Sequence, residues 1–196
     1  MARVAEHPIH PTRSRLVAAA TELFARDGFH GTGVAEILAS SGVSRGSFYH
    51  FFKSKQDVLY DVCLIPLDHM CLVASRIAAN GTPAADRFRQ LASALLADIA
   101  QNQAAWRVYL RDSAYLTGQR QERIKALRDR FEMHWGQIID AGAEAGIFPA
   151  LEPLEIKGIL GMFNHAVLWL DPVGSVSTEQ LSRQFCDILL NGLLQK

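Results

Sequence analysis

Arg45, Gly46, Ser47, Tyr49 and His50 are set around Phe48 and followed at once by Phe51 and Phe52. Unrolled as a helix at about 100° per residue, the three phenylalanines fall in one arc and predict a buried ridge. The other five spread over the opposite side and point outward. A face made of a cation, two hydrogen-bonding groups, an imidazole and a bare glycine suits the groove of duplex DNA. Arginine reaches guanine O6 and N7 or a phosphate, and hydroxyls reach phosphates and base edges. Gly46 costs such a helix about 1 kcal/mol relative to alanine; room for a sugar-phosphate backbone to approach offsets it.

The elements that must hold this face are legible on either side. Thr32 is a candidate N-cap, and Val34, Ile37 and Leu38 follow at helical spacing. Gly42 is suited to end that helix in the left-handed region. Val43 supplies an apolar plug, and Ser44 caps the next helix. That order is the sequence form of a helix-turn-helix. An ordinary helical hairpin inside a bundle is the plainer reading, but it has no use for so polar an outward face.

At 196 residues, 49% of them hydrophobic, the chain can bury a substantial core and is no disordered segment. No apolar run approaches the 18 or so residues of a membrane helix. The N-terminus, with Arg3, Glu6, His7, Pro8, His10 and Pro11, has no apolar signal region and reads as a mobile leader of a cytoplasmic protein. Net charge is zero, yet residues 1–60 carry seven Lys/Arg against five Asp/Glu, with four histidines besides. So mild an asymmetry does not by itself argue for a nucleic-acid partner; the outward face does. Cys63, Cys71 and Cys186 suit a reduced compartment. Cys63 and Cys71, eight residues apart on one helix, are about 12 Å apart and cannot bridge within one chain.

In chain order, helix one runs over 11–27, with Thr12 as cap, Gly28 as stop and Leu16, Val17, Ala20, Leu23 and Phe24 as its stripe. Arg13 and Arg15 at its start could touch flanking phosphates. Ser54 caps a long helix four over 55–79, which Pro66 should kink into a lever. Asn80-Gly81-Thr82-Pro83 breaks the chain before helix five, which reaches about residue 102; helices six and seven follow over 104–116 and 119–145. Helix eight, 154–170, is apolar nearly all round, ends at Asp171-Pro172, and needs cover on more than one side. Ser177 caps helix nine, with Leu181, Phe185, Ile188, Leu189 and Leu193. Helices eight and nine read as a two-fold self-association surface forming a four-helix bundle. The expected fold is all-α with about nine helices: a helix-turn-helix domain over 1–54 and a helical ligand-binding and dimerisation domain over 55–196.

The run from Gly42 through Gly46-Ser47-Phe48-Tyr49-His50-Phe51-Phe52 to Lys53-Ser54-Lys55 resembles, almost without a gap, the signature of TetR/AcrR-family transcriptional regulators, within a likeness spanning about Arg13 to Leu59. The resemblance implies a dimeric repressor-type protein whose remaining helices bind a small ligand, released from a palindromic operator when that ligand binds. It also implies that Lys55 meets the DNA backbone. Together with the residue reading, the expected DNA contacts are Thr32, Gly33, Ser44, Arg45, Gly46, Ser47, Tyr49, His50, Lys53 and Lys55. Residues 138–148, followed by Asn164 and Trp169, are similar to a subset of the family that senses acyl-CoA thioesters.

The C-terminal two-thirds shows no nucleophile elbow, phosphate loop or metal-ligand spacing, and implies neither catalysis nor a metal or cofactor. It does set polar groups among apolar ones, as a small-molecule site requires. The candidates are Tyr60, Cys63, Trp106, Tyr109, Arg111, His134, Trp135, Asn164 and His165, for a hydrophobic effector that is either an acyl-CoA or a drug-like molecule. Arg111 or another cation could meet a phosphate. Two rival readings remain: a thiol-based redox regulator using the cysteines, and a helical small-molecule-binding protein that ignores DNA.

Overall fold

The computed structural model describes residues 10–171 and 174–193, and every described element is helical. Residues 1–9 of the expected leader, including Arg3, and the helix-ending Pro172 lie outside the described residues, as does the side chain of Leu193. The order is α1 (Pro11–Gly31), α2 (Val34–Ser41), α3 (Arg45–Phe51), α4 (Lys55–Ala79), α5 (Ala84–Gln101), α6 (Gln103–Asp112), α7 (Gly118–Glu144), α8 (Pro153–His165) and α9 (Thr178–Asp187). Single 3₁₀ turns follow α6 (Ser113–Tyr115) and α8 (Ala166–Leu168), and a π-type turn, Ile188–Leu193, extends α9.

Local chemistry explains the boundaries, and corrects two caps. His10, not Thr12, caps α1: its Nδ1 accepts the Thr12 amide at 3.2 Å, leaving Pro11 at the first helical position, where no amide is lost. Gly33, not Thr32, caps α2, its amide donating to Glu36 Oε2 at 2.6 Å. Gly42 ends α2 at φ 62°, and the Ser44 hydroxyl accepts the Ser47 amide to start α3. Ser54 and Asp57 form a reciprocal box at the head of α4, with Asp57 Oδ2 accepting the Lys53 and Ser54 amides at 2.8 Å. Gly28, at φ 80°, stops the regular part of α1 as expected, and Phe29–Gly31 form one further turn beyond a kink.

α4 runs on through a buried Pro66, and α1, α5, α6 and α7 pack around it. By length and composition it could cross a bilayer, contrary to the expectation that no such run exists; its Val58, Leu59, Val62, Leu67 and Met70 are instead the middle of the core. Trp135 on α7 anchors the other end of that core, edge-on to Phe88 and tilted against Phe163 at ring distances of 5.3 and 5.5 Å. Helix eight is shorter than expected, and its apolar residues divide. Ile159, Leu160 and Phe163 are buried, whereas Leu154, Leu168 and Trp169 stand exposed, as does Ile188 after α9.

After α7 the chain doubles back so that Phe148 lies on Gly142, where an added Cβ would come within 2.1 Å of the ring. The Ile147 and Phe148 amides both donate to the Gly142 carbonyl, at 2.8 and 3.2 Å, so backbone and ring are fixed together. Gly142→Ala should therefore destabilise the fold by about 1–3 kcal/mol, the range for overpacking a filled core. Chemical denaturation monitored by circular dichroism checks this; unchanged stability would mean that the Phe148 turn moves freely.

Candidate nucleic-acid interface and ligand cleft

Phe48 and Phe52 are fully buried, so the ridge under α3 forms. Phe51 is a partial exception: it is half-buried between the rings of His10 and His50, at 4.9 and 4.8 Å. Opposite the ridge, Arg45, Gly46, Tyr49 and His50 are exposed, Tyr49 by 48%. The Arg45 guanidinium lies 5.7 Å from the centre of the Tyr49 ring, a cation placed beside a planar surface. A Cβ at Gly46 would meet nothing within 4 Å, so no packing demand explains the glycine. Ser44 and Ser47 pair through their hydroxyls at 2.9 Å at the start of the helix. Gly33 and Lys53 are exposed at the ends of the unit.

Two residues expected on this face are used elsewhere. Thr32 is 1% exposed, and its hydroxyl donates to Gly28 O at 3.0 Å, closing the kink in α1 instead of meeting a phosphate. Lys55 turns inward: Nζ donates to Phe29 O at 2.6 Å and Thr32 O at 2.7 Å, and sits 4.4 Å over the Phe29 ring. Burial lowers the lysine's pKa, against an opposing pull from Glu36. Arg13 and Arg15 are likewise internal struts. Arg13 pairs with the buried Asp61 at 2.7 Å, and Arg15 Nη2 donates to Ser41 O at 2.6 Å, bracing the turn between α2 and α3. Burial raises the Asp61 carboxyl above its ordinary value, only partly countered by Arg13.

The ligand candidates separate into those that line space and those that do not. A cleft of about 320 Å³ lies between α4, α6, α7 and α8, walled by Leu67, Trp106, Phe131 and Leu160 and carrying Tyr109 and Asn164. Arg128, Glu132 and Lys157 line it too, Lys157 pairing with Glu132 at 3.3 Å. A second cleft of about 590 Å³ shares Leu110, Gly161 and Asn164 with the first and adds Arg107, Arg111 and His165. Asn164 Oδ1 is buried without a hydrogen-bond partner among the described residues. Burial drives the Tyr109 hydroxyl well above the usual phenol range, so it enters the cleft as a neutral donor.

Tyr60, Cys63, His134 and Trp135, also expected at the ligand, line neither cleft. Tyr60 sits in a separate groove with Arg13, Asp57 and Arg120. Cys63 is fully buried, its thiol pushed up to about 12 by desolvation and then by Asp112. His134 Nδ1 is within 3.1 Å of Gln137 Oε1, and Trp135 is core. A wider groove of about 780 Å³ runs past Arg15, Thr21, Ile65 and Gln103. Among its polar side chains, Thr21 donates to Val17 O and Gln103 to Val167 O and Leu170 O. Sequence reasoning did not foresee Asp112, whose Oδ2 accepts the Phe29 amide at 3.2 Å across 83 residues of chain. No periodicity marks so remote a contact.

A helix-turn-helix with one bare polar helix face, carried on a helical body that encloses a cleft, defines a DNA-binding transcriptional regulator. Residues 16–62 match the profile of bacterial regulatory proteins of the tetR family, and residues 81–193 that of the tetracyclin repressor-like C-terminal domain. The chain belongs to the TetR family. It is 27% identical over 184 residues to the HTH-type transcriptional repressor KstR2 of Rhodococcus jostii strain RHA1, covering 92% of this chain and 90% of that one. The structure of the ketosteroid transcriptional regulator KstR2 of Mycobacterium tuberculosis superposes with a TM-score of 0.84 at 26% identity, covering 94% of this chain and 95% of that one. The structure of AibR in complex with isovaleryl coenzyme A and operator DNA shares the fold, with a TM-score of 0.80 at 20% identity over 92% of this chain and 98% of that one.

Lys55→Met keeps the stem over Phe29 but leaves two carbonyls without their donor. It should lower unfolding free energy by about 1–3 kcal/mol, whereas Gly46→Ala should leave it unchanged or raise it by up to about 1 kcal/mol. Urea unfolding of the two variants tests both; a fully stable Lys55→Met would return that lysine to the solvent face.

Proposed function

We propose that this chain is a homodimeric repressor that sets α3 of each subunit in successive major grooves of a palindromic operator. It lets go when a small, largely hydrophobic effector occupies the cleft. The observation that carries this reading is the outward face of α3, where Arg45, Gly46, Tyr49 and His50 are exposed over a buried Phe48. Arg45 and Tyr49 are placed for base edges and His50 and Lys53 for phosphates; Ser44 and Ser47 flank them at the helix start. Gly33, at the head of α2, adds a close backbone approach.

Pairing of subunits is supported by Leu154, Leu168, Trp169 and Ile188, large apolar side chains left exposed on the α8–α9 side. The reading requires a two-fold axis through that surface that sets the two copies of α3 on one side of the dimer, about 34 Å apart. Repression is supported by the name of the KstR2 relatives, which match along nearly the whole chain. For the effector, an acyl thioester suits the two joined clefts better than a neutral drug-like molecule. Leu67, Trp106, Phe131 and Leu160 take an apolar chain, and Arg107 and Arg111 face the anionic end. Against the thiol-based alternative, Cys63, Cys71 and Cys186 are all buried and burial raises every one of the thiols, so the reactive thiolate is suppressed.

Selection of duplexes from random sequence should yield a palindrome bound by the dimer. Arg45→Ala and Tyr49→Ala should each weaken that binding about tenfold or more, from the worth of one base contact, without changing the dimer's mass in light scattering. Affinity should also fall steeply with salt as counterions are released. Two variants that bind as tightly as the wild type, or a salt-independent complex, would overturn the reading.

A further inference from the structure

The kink in α1 is held by another helix. In an unbroken helix the Phe29 amide would donate to Ala25 O; with Gly28 at φ 80°, it donates instead to Asp112 Oδ2 at 3.2 Å. Arg111, the neighbour of Asp112 at the end of α6, reaches the carbonyls just before the kink. Its Nη2 donates to Phe24 O and to Asp112 Oδ2 at 2.9 Å, its Nη1 reaches Ala25 O at 3.4 Å, and Nε stays on Asp112 Oδ1 at 2.9 Å. The two adjacent side chains thus tie both sides of the kink to the end of α6. Just beyond it, Phe29 O and Thr32 O are gathered by Lys55, and α2 begins. The orientation of the helix-turn-helix therefore depends on where the Arg111–Asp112 pair sits.

Arg111 also lines the 590 Å³ cleft, and so does Ala25. Arg107 and His165 add basic groups there and Asn164 an amide; among the described residues no carboxylate lines it, the nearest charge partner being Asp112 behind Arg111. Among the described residues, Arg107 makes a 3.3 Å bond from Nε to Val167 O. A guanidinium bonds an anion more strongly than a neutral backbone carbonyl. We propose that this cleft receives the anionic group of the effector, a carboxylate or a phosphate attached to an apolar body, and that Arg111 is the residue through which it acts. The incoming anion takes the Arg111 Nη groups from Phe24 O and Ala25 O, the kink loses its clamp, and α2–α3 turn relative to the body. This rests on the effector reading above and adds the ligand's charge and the residue that answers it.

The test uses the full chain, with octanoate and octanoyl-coenzyme A as separate probes. Amide hydrogen exchange is read over residues 24–33, and affinity is measured on a duplex selected from random sequence. In the wild type, the probe with the fitting anion should speed exchange at Phe29 about tenfold and weaken duplex binding about fivefold or more. Response to octanoate alone marks a carboxylate site, response to octanoyl-coenzyme A alone marks a phosphate site, and response to both marks a site that takes either anion. Arg111→Gln should exchange fast at Phe29 without any probe and change duplex affinity less than twofold when probe is added. Arg107→Gln, which leaves the clamp intact, should keep slow exchange at Phe29 in the absence of probe but need more probe to speed it.

The proposal is overturned if neither probe alters Phe29 exchange in the wild type, if Arg111→Gln keeps that amide protected, or if it answers the probes as the wild type does. Failure to select any duplex would instead overturn the DNA-binding reading, and the exchange results would still decide the role of Arg111.

Discussion

Burial of Phe48 and Phe52 under α3 is the constraint on which the rest depends. A helix of seven residues has no stability of its own in water, because nucleation consumes most of what so few hydrogen bonds return. Each buried phenylalanine contributes about 1.5–3 kcal/mol, so α3 exists where its ridge finds a core, and its orientation follows from which side carries the ridge. Everything not on that side is left to solvent, which is why Arg45, Gly46, Tyr49 and His50 are displayed together. Display is a consequence of packing, and it needs no interaction among the displayed residues themselves.

A face so presented serves regulation only if its position can be set from elsewhere. The struts that set it are polar and long-range: Arg15 on Ser41 O, Arg13 on Asp61, Lys55 on Phe29 O and Thr32 O, Asp112 on the Phe29 amide. Asp112 and Arg111 end the same helix that places Trp106 and Tyr109 in the inner cleft. A rigid helix of ten residues thus has the cleft along its length and the reader's kink at its end. Any displacement of α6 by a bound molecule arrives at Phe29 without an intermediary.

The order of elements was legible in the sequence because it rests on local signals: Gly42 for a left-handed stop, Ser44 and Ser54 for caps, and apolar residues at helical spacing. Where a local signal had two neighbouring bearers, the sequence could not choose, and Gly33 with Glu36 took the cap that Thr32 was expected to make. The family resemblance implied that the Lys55 ammonium meets the DNA backbone; the Phe29 and Thr32 carbonyls and the Phe29 ring beside the α1 kink hold it inside instead. The same limit explains the cleft. Trp106, Tyr109 and Asn164 line it, whereas Cys63, His134 and Trp135 do not, although all are polar groups on apolar helix faces. Which face meets a void is decided by how α4, α6, α7 and α8 cross, and spacing within one helix carries no record of that.

The most direct test of the central claim is titration of the isotopically labelled protein with its selected duplex, followed by amide chemical shifts across α1–α4. The account predicts that Arg45, Gly46, Tyr49 and His50 shift strongly and at low stoichiometry, while Phe48 and Phe52 shift little and the Lys55 side-chain ammonium keeps its protected environment. Strong shifts confined to α8–α9, or a duplex that leaves the α3 amides unmoved, would contradict it.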